Sequence, residues 1–214
     1  ASNGYSIATL SRDEIRLNSL GVALAEVNPT GRHMLMKGNL LFEADISQFN
    51  ERLRSERGIP ELIVNCAGIY TTRVPSEMQE SDLRQLIDVN FFGAFRITQP
   101  WIASLKSRGT GTILSIGSIV TKWPRPHAAS YTLSKQLLDN WMQLLAEELR
   151  DSGIRITRIQ PGSVLTPSWV DETEEMKEHT ILPEEIARIV NLVLALPERT
   201  WLEEVTIRPL SRTS

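Results

Sequence analysis

Apolar residues along this chain recur with two spacings, one typical of buried strands and one typical of helices. Short apolar runs predict strands over residues 5–10, 34–40, 61–65, 112–116, 154–159 and 202–207. Apolar positions three and four residues apart predict helices over residues 42–57, 81–105, 129–150 and 183–196, and another with Leu17, Leu20, Leu24 and Val27. Strands that alternate with helices through short linkers predict an α/β fold, a doubly wound parallel sheet with helices on both faces.

The composition limits the class of protein. With 41% hydrophobic and 23% charged residues, the 214-residue chain has the make-up of an ordinary globular protein. We expect a single domain over residues 1–214, because this length supports one substantial core and no repeat or linker divides it. A formal net charge of −3 offers no basic surface, so nucleic acid is not an expected partner.

The sequence also bears on membrane, metal and compartment. No apolar run approaches the roughly 20 residues that span a bilayer, so we expect no membrane partner. The histidines, His33, His127 and His179, lack metal-ligand spacing, and we expect no metal site. The single cysteine, Cys66, excludes an internal disulfide and fits a reducing compartment, so a cytoplasmic location is expected.

A phenol, an ammonium and a hydroxyl form the candidate chemistry. Tyr131 and Lys135 lie four residues apart in a predicted helix, and Ser118 lies thirteen residues before Tyr131. Side chains at i and i+4 share a helix face, so we expect Lys135 to lower the pKa of Tyr131, ordinarily about 10. Such a tyrosine can exchange a proton with a substrate oxygen near neutral pH. Carbonyl reduction also needs a hydride, which no side chain supplies, so a nicotinamide cofactor is predicted.

Further candidates follow the predicted strands. Asn65 ends the third strand, Ser118 follows the fourth, and Pro161 and Gly162 follow the fifth. Active sites of parallel sheets lie beyond the carboxyl ends of the strands. We therefore expect these residues to meet at one edge of the sheet.

Four motifs resemble those of the short-chain dehydrogenase/reductase family, in the family's order and spacing, from about Gly4 to Pro209. They are Asn65-Cys-Ala-Gly68, the Asn90 of Val89-Asn-Phe-Phe-Gly93, Ser118 with Tyr131-x-x-x-Lys135, and Pro161-Gly-Ser-Val-Leu-Thr166. Cys66 replaces the family's second asparagine in the first motif. The resemblance implies a Rossmann-type single domain and an NAD(P)-dependent oxidoreductase acting on CH–OH groups.

The resemblance implies catalytic roles for Asn90, Ser118, Tyr131 and Lys135. Ser118 would hold the substrate oxygen, Tyr131 would act as general acid or base, and Lys135 would also bind the nicotinamide ribose. Asn90 would break the local helix bonding and hold a water that leads to Lys135. The plainer alternatives are a hydrogen-bonded core amide for Asn90, a turn serine, an interface tyrosine and a solvated lysine.

NADP(H) is expected as cofactor rather than NAD(H). Ser11 and Arg12 follow the first predicted strand, where an NAD-preferring enzyme usually places an acidic residue. A hydroxyl and a guanidinium suit a 2′-phosphate, although Arg12 could also be an exposed residue at a helix start. The other cofactor-binding residues that the resemblance implies are Asn39, Leu40, Asn65, Ala67, Gly68, Tyr131, Lys135, Pro161, Gly162, Val164 and Thr166.

The substrate is expected to be a small carbonyl compound or the corresponding alcohol. Its predicted contacts are Tyr70, Ser118, Trp123, His127, Tyr131 and Ser163. Trp123 and Trp169 predict an apolar lining, whereas His127 could equally be a surface residue at a helix start. The polar, weakly periodic segment over residues 166–179 predicts a mobile lid.

The family's opening unit, a strand, a Gly-x-x-x-Gly-x-Gly phosphate loop and a helix, does not occur in this chain. In the family that strand is central, between the strands predicted at residues 5–10 and 61–65. The chain could be a fragment of a longer protein, a truncation with a rearranged sheet, or a fold with another segment in the central position. We expect the functional protein to carry the missing unit at its N-terminus, because unpaired central strands leave backbone groups unsatisfied.

Two further questions concern function and assembly. A catalytically impaired or cofactor-free binding or scaffold protein is the alternative to the oxidoreductase, favoured by the missing loop and opposed by the complete catalytic set. A hydrolase is not expected, because the chain has no Gly-x-Ser-x-Gly motif. A homodimer or homotetramer is expected from apolar residues on the helix after Tyr131, with burial of all of them in the core as the alternative. They are Leu137, Trp141, Leu144, Leu145 and Leu149.

Overall fold

The computed structural model describes residues 1, 3–166 and 179–210, and all structural statements refer to these residues. Its strands are β1 (Ala8–Ser11), β2 (Met34–Lys37), β3 (Leu62–Asn65), β4 (Gly111–Ile116), β5 (Ile154–Pro161) and β6 (Glu204–Ile207). Its helices are α1 (Glu14–Val27), α2 (Glu43–Arg57), α3 (Glu80–Ile87), α4 (Gly93–Thr98), α5 (Ile102–Arg108), α6 (Ala129–Glu148) and α7 (Pro183–Ala195). The predicted strand–helix alternation and the α/β fold are confirmed.

Every pair of neighbouring strands within the described residues is parallel. β3, β4, β5 and β6 form one four-stranded sheet in that order, and β1 pairs with β2 in a separate pair. No backbone pairing joins β1 to β3 in the described part of the chain, and Val64 on β3 is 37% exposed. The break therefore falls at the position where the family's central strand is expected.

Both faces of the sheet are covered, as a parallel sheet requires. Ile113 on β4 faces a core shared with Phe49, Trp101 and Met142 from the surrounding helices. Leu114, the next residue along the strand, faces the opposite side, where Val193 of α7 packs. Because Met34 and Met36 of β2 belong to the first core, that core links the strand pair to the larger sheet.

The helix predicted over residues 81–105 is interrupted twice, which corrects the sequence prediction. A π-helical turn, Asp88–Phe92, separates α3 from α4, and the Gly93 N–H there bonds the Asp88 carbonyl. A 3₁₀ turn, Gln99–Trp101, then precedes α5. The π turn interrupts the helix because it accommodates one extra residue around Asn90. The 3₁₀ turn contains Pro100, which has no N–H to continue the α-helical hydrogen bonds.

None of the described helices combines the length and the apolar character needed to cross a bilayer.

Candidate active site

The site lies beyond the carboxyl ends of β3 and β4, beside the start of α6. Ser118 comes two residues after β4 and precedes a short 3₁₀ turn, Ile119–Thr121. Tyr131 and Lys135 occupy the first turns of α6. The segment after β3 runs alongside the segment before α6, where the Ala129 N–H donates to the Arg73 carbonyl at 3.1 Å. The fold thus brings the three predicted residues to one place.

Tyr131 is held from two sides. Its phenol interacts with the side chain of Ser118, and its ring meets the ring of Tyr70 edge to face, with centroids 4.9 Å apart. Burial raises the pKa of Tyr131, and the Ser118 hydrogen bond opposes this only in part. Tyr131 is therefore a protonated phenol at neutral pH.

Lys135 is buried beneath this tyrosine. The side chain is 4% exposed, its Nζ lies 5.9 Å from the centroid of the Tyr131 ring, and it donates to the Ile116 carbonyl at 3.1 Å. Removal from water lowers the pKa of Lys135 to about 8. The prediction that Lys135 lowers the pKa of Tyr131 is wrong in this structure, because desolvation of the phenol outweighs the effect of nearby groups.

Asn90, in the π turn, joins three elements through its side chain. Its Oδ1 accepts from the Ile69 N–H at 2.7 Å, and its Nδ2 donates to the Ile69 carbonyl at 3.0 Å and to Ser134 Oγ at 2.9 Å. Ser134 in turn donates to the Tyr131 carbonyl at 2.8 Å. The break in α-helical hydrogen bonding at Asn90 agrees with the role that the family resemblance implies. The Asn90 side chain itself is hydrogen-bonded to other groups of the protein, as the alternative of a hydrogen-bonded core amide describes.

Gly68 marks a narrow approach to the buried polar groups. A Cβ at this position would lie 3.2 Å from Asn90 Oδ1 and 3.3 Å from Lys135 Nζ. Ala67 and Gly68 are exposed, whereas the Lys135 ammonium beside them is buried and donates one hydrogen bond within the described part of the chain. A polar ligand that brings hydroxyl acceptors over this turn would satisfy the remaining donors, so the residues fit the ribose of a nicotinamide cofactor.

Asn65, a predicted cofactor contact, has its side chain hydrogen-bonded within the chain. It is 8% exposed, and its Nδ2 donates to Thr98 Oγ1 at 2.9 Å. Because Thr98 is fully buried in α4, the Asn65 amide anchors the end of β3 to that helix.

The predicted residues for the adenine half lie at the ends of β1 and β2. Ser11 Oγ accepts from the Asp13 N–H at 3.2 Å, and Arg12 is exposed with no ion pair to another described residue. Asn39 Oδ1 accepts from the Leu41 N–H at 3.0 Å, which folds the turn after β2. Leu40 packs so closely on α4 that a Cβ on Gly93 would lie 3.3 Å from it.

The segment after β5 is pinned to β6 and to the residues before α7. The Gly162 N–H donates to the Ile207 carbonyl at 2.8 Å, and a Cβ on Gly162 would lie 3.0 Å from Pro209. Packing against Pro209 therefore favours a small residue at this position. Val164 bridges Ile181, and Pro161, Ser163 and Thr166 complete the predicted set on this segment.

The predicted substrate residues lie on several segments, of which those of Tyr70 and Ser118 reach Tyr131. Tyr70 is 52% exposed and contacts Tyr131, whereas Trp123 is 49% exposed and stacks against the Arg208 guanidinium at 4.9 Å. His127 is exposed just before α6. Residues 167–178, which hold Trp169 and most of the predicted lid, lie outside the described residues.

Comparison with known proteins identifies the family. The model of the family described as short chain dehydrogenase matches residues 1–177. The chain belongs to the short-chain dehydrogenase/reductase family. This short-chain dehydrogenase is an oxidoreductase of the class that acts on CH–OH groups with NAD(P).

Relatives of this short-chain dehydrogenase cover most of its length. Sepiapterin reductase from Chlorobaculum tepidum is 30% identical over 168 residues, which cover 78% of this chain and 69% of that relative. Carbonyl reductase family member 4 from Xenopus tropicalis is 27% identical over 203 residues, covering 92% and 84%. An alcohol dehydrogenase structure from Thermococcus sibiricus, complexed with 5-hydroxy-NADP, has a TM-score of 0.88 at 24% identity, covering 100% of this chain and 90% of that one. At this identity the structural match supports the fold.

Sequence reasoning missed three polar residues that this short-chain dehydrogenase places around the site. Ser134 links Asn90 to Tyr131, and Gln160 accepts a hydrogen bond from the Ser118 N–H at 2.8 Å. Asp139 receives a hydrogen bond from Gln160. A helical signal existed for Asp139, because it continues the four-residue spacing of Tyr131 and Lys135 along α6.

Proposed function

We propose that this protein is an NADP(H)-dependent oxidoreductase that interconverts a ketone or aldehyde and the corresponding alcohol. The observation that carries the proposal is the convergence of the Ser118 side chain, the Tyr131 phenol and the buried ammonium of Lys135 at one end of the sheet. The Lys135 ammonium lies beside the exposed turn formed by Ala67 and Gly68. A substrate oxygen placed between the Ser118 and Tyr131 hydroxyls would meet two donors at once.

Tyr131 is the proposed general acid and base. Because burial raises the pKa of Tyr131, the phenol holds its proton at neutral pH and can give it to the oxygen of a carbonyl that is being reduced. Ser118 holds that oxygen as negative charge develops on it. In alcohol oxidation the same phenol must first lose its proton, so oxidation becomes faster as the pH rises toward the pKa of Tyr131.

The cofactor contacts are proposed for the buried lysine and the exposed turns. Lys135, Ala67 and Gly68 would hold the ribose near the nicotinamide, and Asn39, Leu40 and the segment from Pro161 to Thr166 would hold more distant parts. A bound nicotinamide cofactor would supply or accept the hydride. Asn90 contributes indirectly, because it fixes the turn after β3 and, through Ser134, the first turn of α6.

The function is tested by measuring oxidation of NADPH and NADH with a panel of ketones and aldehydes, using the complete protein. We expect turnover with NADPH, and we expect Tyr131→Phe to remove it while NADPH binding, followed by its fluorescence, is retained. Binding without turnover of any carbonyl would favour the scaffold alternative. The absence of both binding and turnover would contradict the proposal.

The preference for NADP(H) depends on Arg12, whose exposed guanidinium has no ion-pair partner among the described residues. We expect Arg12→Ala to raise KM for NADPH about tenfold, because the variant loses a charge-assisted contact with the 2′-phosphate. NADH has no 2′-phosphate, so its KM should stay unchanged. Arg16→Ala is the matched control, because Arg16 lies on the same helix but already pairs with Asp13 at 3.1 Å. Equal losses for NADPH and NADH would contradict the assignment.

A further inference from the structure

A buried polar network from β5 and α6 reaches the main chain of Ser118. Gln160, at 0% exposure, accepts from the Ser118 N–H through its Oε1 at 2.8 Å. The Gln160 Nε2 donates to Asp139 on α6. Asp139, 8% exposed, is also bonded to Arg158 Nη1 at 3.0 Å and to Gln143 Nε2 at 2.7 Å.

Only one orientation of the Gln160 amide satisfies both of its neighbours, the Ser118 N–H and the Asp139 carboxylate. A main-chain N–H can only donate and an ionised carboxylate can only accept, so the amide oxygen must face Ser118 and the NH₂ must face Asp139. Reversing the amide would leave two buried donors facing each other and an oxygen facing a carboxylate, which is unfavourable in a dry interior. Asp139 therefore selects the orientation in which Gln160 can hold Ser118.

The Asp139 carboxylate has its own charge partners. Arg158 on β5 lies between Asp139 and Glu204 of β6, with Arg158 Nη1 2.9 Å from Glu204 Oε2. Glu204 also pairs with Lys122, which follows the 3₁₀ turn after Ser118. Alternating charges on α6, β5 and β6 thus keep the carboxylate in place.

Gly117 makes room for this arrangement. A Cβ on Gly117 would lie 2.2 Å from Gln160 Oε1 and 2.9 Å from its Cδ, closer than real Cβ contacts allow. The φ angle of Gly117 is not in the left-handed region, so backbone strain does not account for the glycine. The space that a side chain at position 117 would take is filled by the Gln160 amide.

We propose that Gln160 and Asp139 are positioning residues for Ser118, with Asp139 orienting the Gln160 amide and Gln160 fixing the Ser118 main chain. The consequence is that the Ser118 hydroxyl stays aimed at the Tyr131 phenol. This inference deepens the proposed function, on which the role of Ser118 in turnover rests. The effect of Ser118 on Tyr131 can nevertheless be followed in the free protein, without any substrate.

The first test uses Gln160→Met, which keeps most of the side-chain volume and removes both hydrogen bonds. Tyrosine labelled with ¹³C at Cζ is titrated by NMR in the free protein, and Tyr131→Phe assigns the signal. Since the Ser118 bond lowers the pKa of Tyr131, we expect that pKa to rise further in Gln160→Met. In the assay we expect kcat to fall about tenfold, with KM for NADPH within about twofold of wild type.

Gln143→Met is the matched control. Gln143 donates to the same Asp139 carboxylate, but it lies on the outer side of α6 and does not contact Ser118. We expect this variant to keep the wild-type Tyr131 titration and the wild-type kcat. Equal effects of Gln143→Met and Gln160→Met would overturn the proposal, because they would reflect a general disturbance of Asp139.

Gln160→Glu supplies a pH readout and serves if Gln160→Met does not fold. Next to Asp139 the new carboxyl group resists ionisation, and in its protonated form it accepts from Ser118 and donates to Asp139 as glutamine does. We expect kcat near wild type at low pH and a fall that begins at lower pH than the fall that deprotonation of Tyr131 causes in wild type. A pH profile identical to that of wild type would contradict the inference.

The two levels of proposal fail separately. If wild-type protein turns over no carbonyl, the proposed function fails and the Tyr131 titration still decides whether Gln160 positions Ser118. If turnover is normal but the Gln160 variants leave both the titration and kcat unchanged, the positioning role fails alone.

Discussion

Lys135 keeps a charged side chain in a place where water is largely excluded. The ammonium is 4% exposed and its pKa falls from an ordinary 10.5 to about 8, so at neutral pH the protein holds a buried positive charge. Such a charge destabilises the folded state unless it is fully compensated. Its retention at this position is understandable if the charge serves ligand binding.

Replacing Lys135 with methionine is therefore expected to stabilise the protein at neutral pH. Below pH 8, Lys135 is protonated in both the folded and the unfolded wild-type chain, so the folded protein bears the full free-energy cost of burying its charge. Between pH 8 and 10.5 the unfolded chain retains a proton that the folded chain has lost, so wild-type stability rises with pH. A pKa shift of this size corresponds to roughly 3 kcal/mol of unfolding free energy at most. We expect the free energy of unfolding of Lys135→Met to exceed that of wild type by on the order of 1–3 kcal/mol at pH 7.

Urea unfolding at pH 7 and pH 10 checks this expectation. The gain of Lys135→Met should shrink at pH 10, where the folded wild-type protein no longer carries the charge. Lys106→Met is the control, because Lys106 is exposed and pairs at 3.5 Å with the surface residue Glu148. A loss of stability in Lys135→Met at pH 7 would show that the ammonium is well compensated.

Asn90→Ala is expected to lower the free energy of unfolding by roughly 3 kcal/mol, because it leaves the Ile69 backbone groups and Ser134 without their partner. Nucleotide binding should weaken as the turn after β3 loosens. Asn50→Ala is the matched control, since Asn50 is a buried amide that bonds Trp101 Nε1 and the Arg96 carbonyl away from the site. We expect Asn50→Ala to destabilise by a similar amount and to leave nucleotide affinity unchanged, as measured by fluorescence titration.

At the scale of elements, the site depends on irregular segments between regular ones. The π turn at Asp88–Phe92 places Asn90 against the turn after β3, and the 3₁₀ turn at Ile119–Thr121 begins with Ser118. A continuous α-helix from Glu80 would present a different residue to Ile69. π turns are commonly found at functional sites, and here the inserted residue ties two elements together.

Gly68→Ala tests the close approach of the turn after β3 to α6. The added methyl would come within 3.2 Å of Asn90 Oδ1 and 3.3 Å of Lys135 Nζ, so one of these buried groups must shift. We expect NADPH affinity to fall about tenfold, as for a lost charge-assisted contact. Gly21→Ala is the control, because its methyl would meet only the Leu35 side chain at 3.2 Å and helix propensity rises. Unchanged affinity in Gly68→Ala would argue against nucleotide binding at this turn.

For the whole molecule, α6 has apolar residues that its own core does not cover. Leu145 and Leu149 are buried, whereas Leu137 is 38% exposed and Leu144 is 71% exposed. Trp141 lies between these extremes and packs against Phe91 and Phe95. Burial of all five residues in the core is therefore wrong for this structure, and the outer residues of α6 support the proposal of a homodimer or homotetramer.

Leu144→Glu tests this assembly. If α6 packs against a second copy, the introduced carboxylate would be buried without a partner, and we expect the variant to sediment as a smaller species than wild type. Val22→Glu on α1 is the control, because Val22 is 64% exposed on a different helix. Analytical ultracentrifugation that finds wild-type protein at the mass of one chain would refute the proposal.

Periodicity along the chain was enough to predict the six described strands, the parallel α/β fold and the shared helix face of Tyr131 and Lys135, whereas the family resemblance added Ser118 to them. These features follow from local spacing and from the common direction of parallel strands, which places the ends of β3, β4 and β5 at one edge. Of the two interruptions of the helix over residues 81–105, Pro100 signals one by its missing N–H, whereas only the family resemblance at Asn90 indicated the other, because the π turn leaves no pattern in hydrophobicity.

Folding decided which partner each buried polar group found. Asn65 bonds Thr98, Asn90 bonds Ile69, and Gln160 bonds Asp139 and Ser118, all across at least 21 residues of sequence. The direction of the Tyr131 pKa shift likewise depends on how much water the surrounding segments exclude. Burial and long-range hydrogen bonds arise from elements that pack together from distant parts of the chain, and residue spacing carries no record of them.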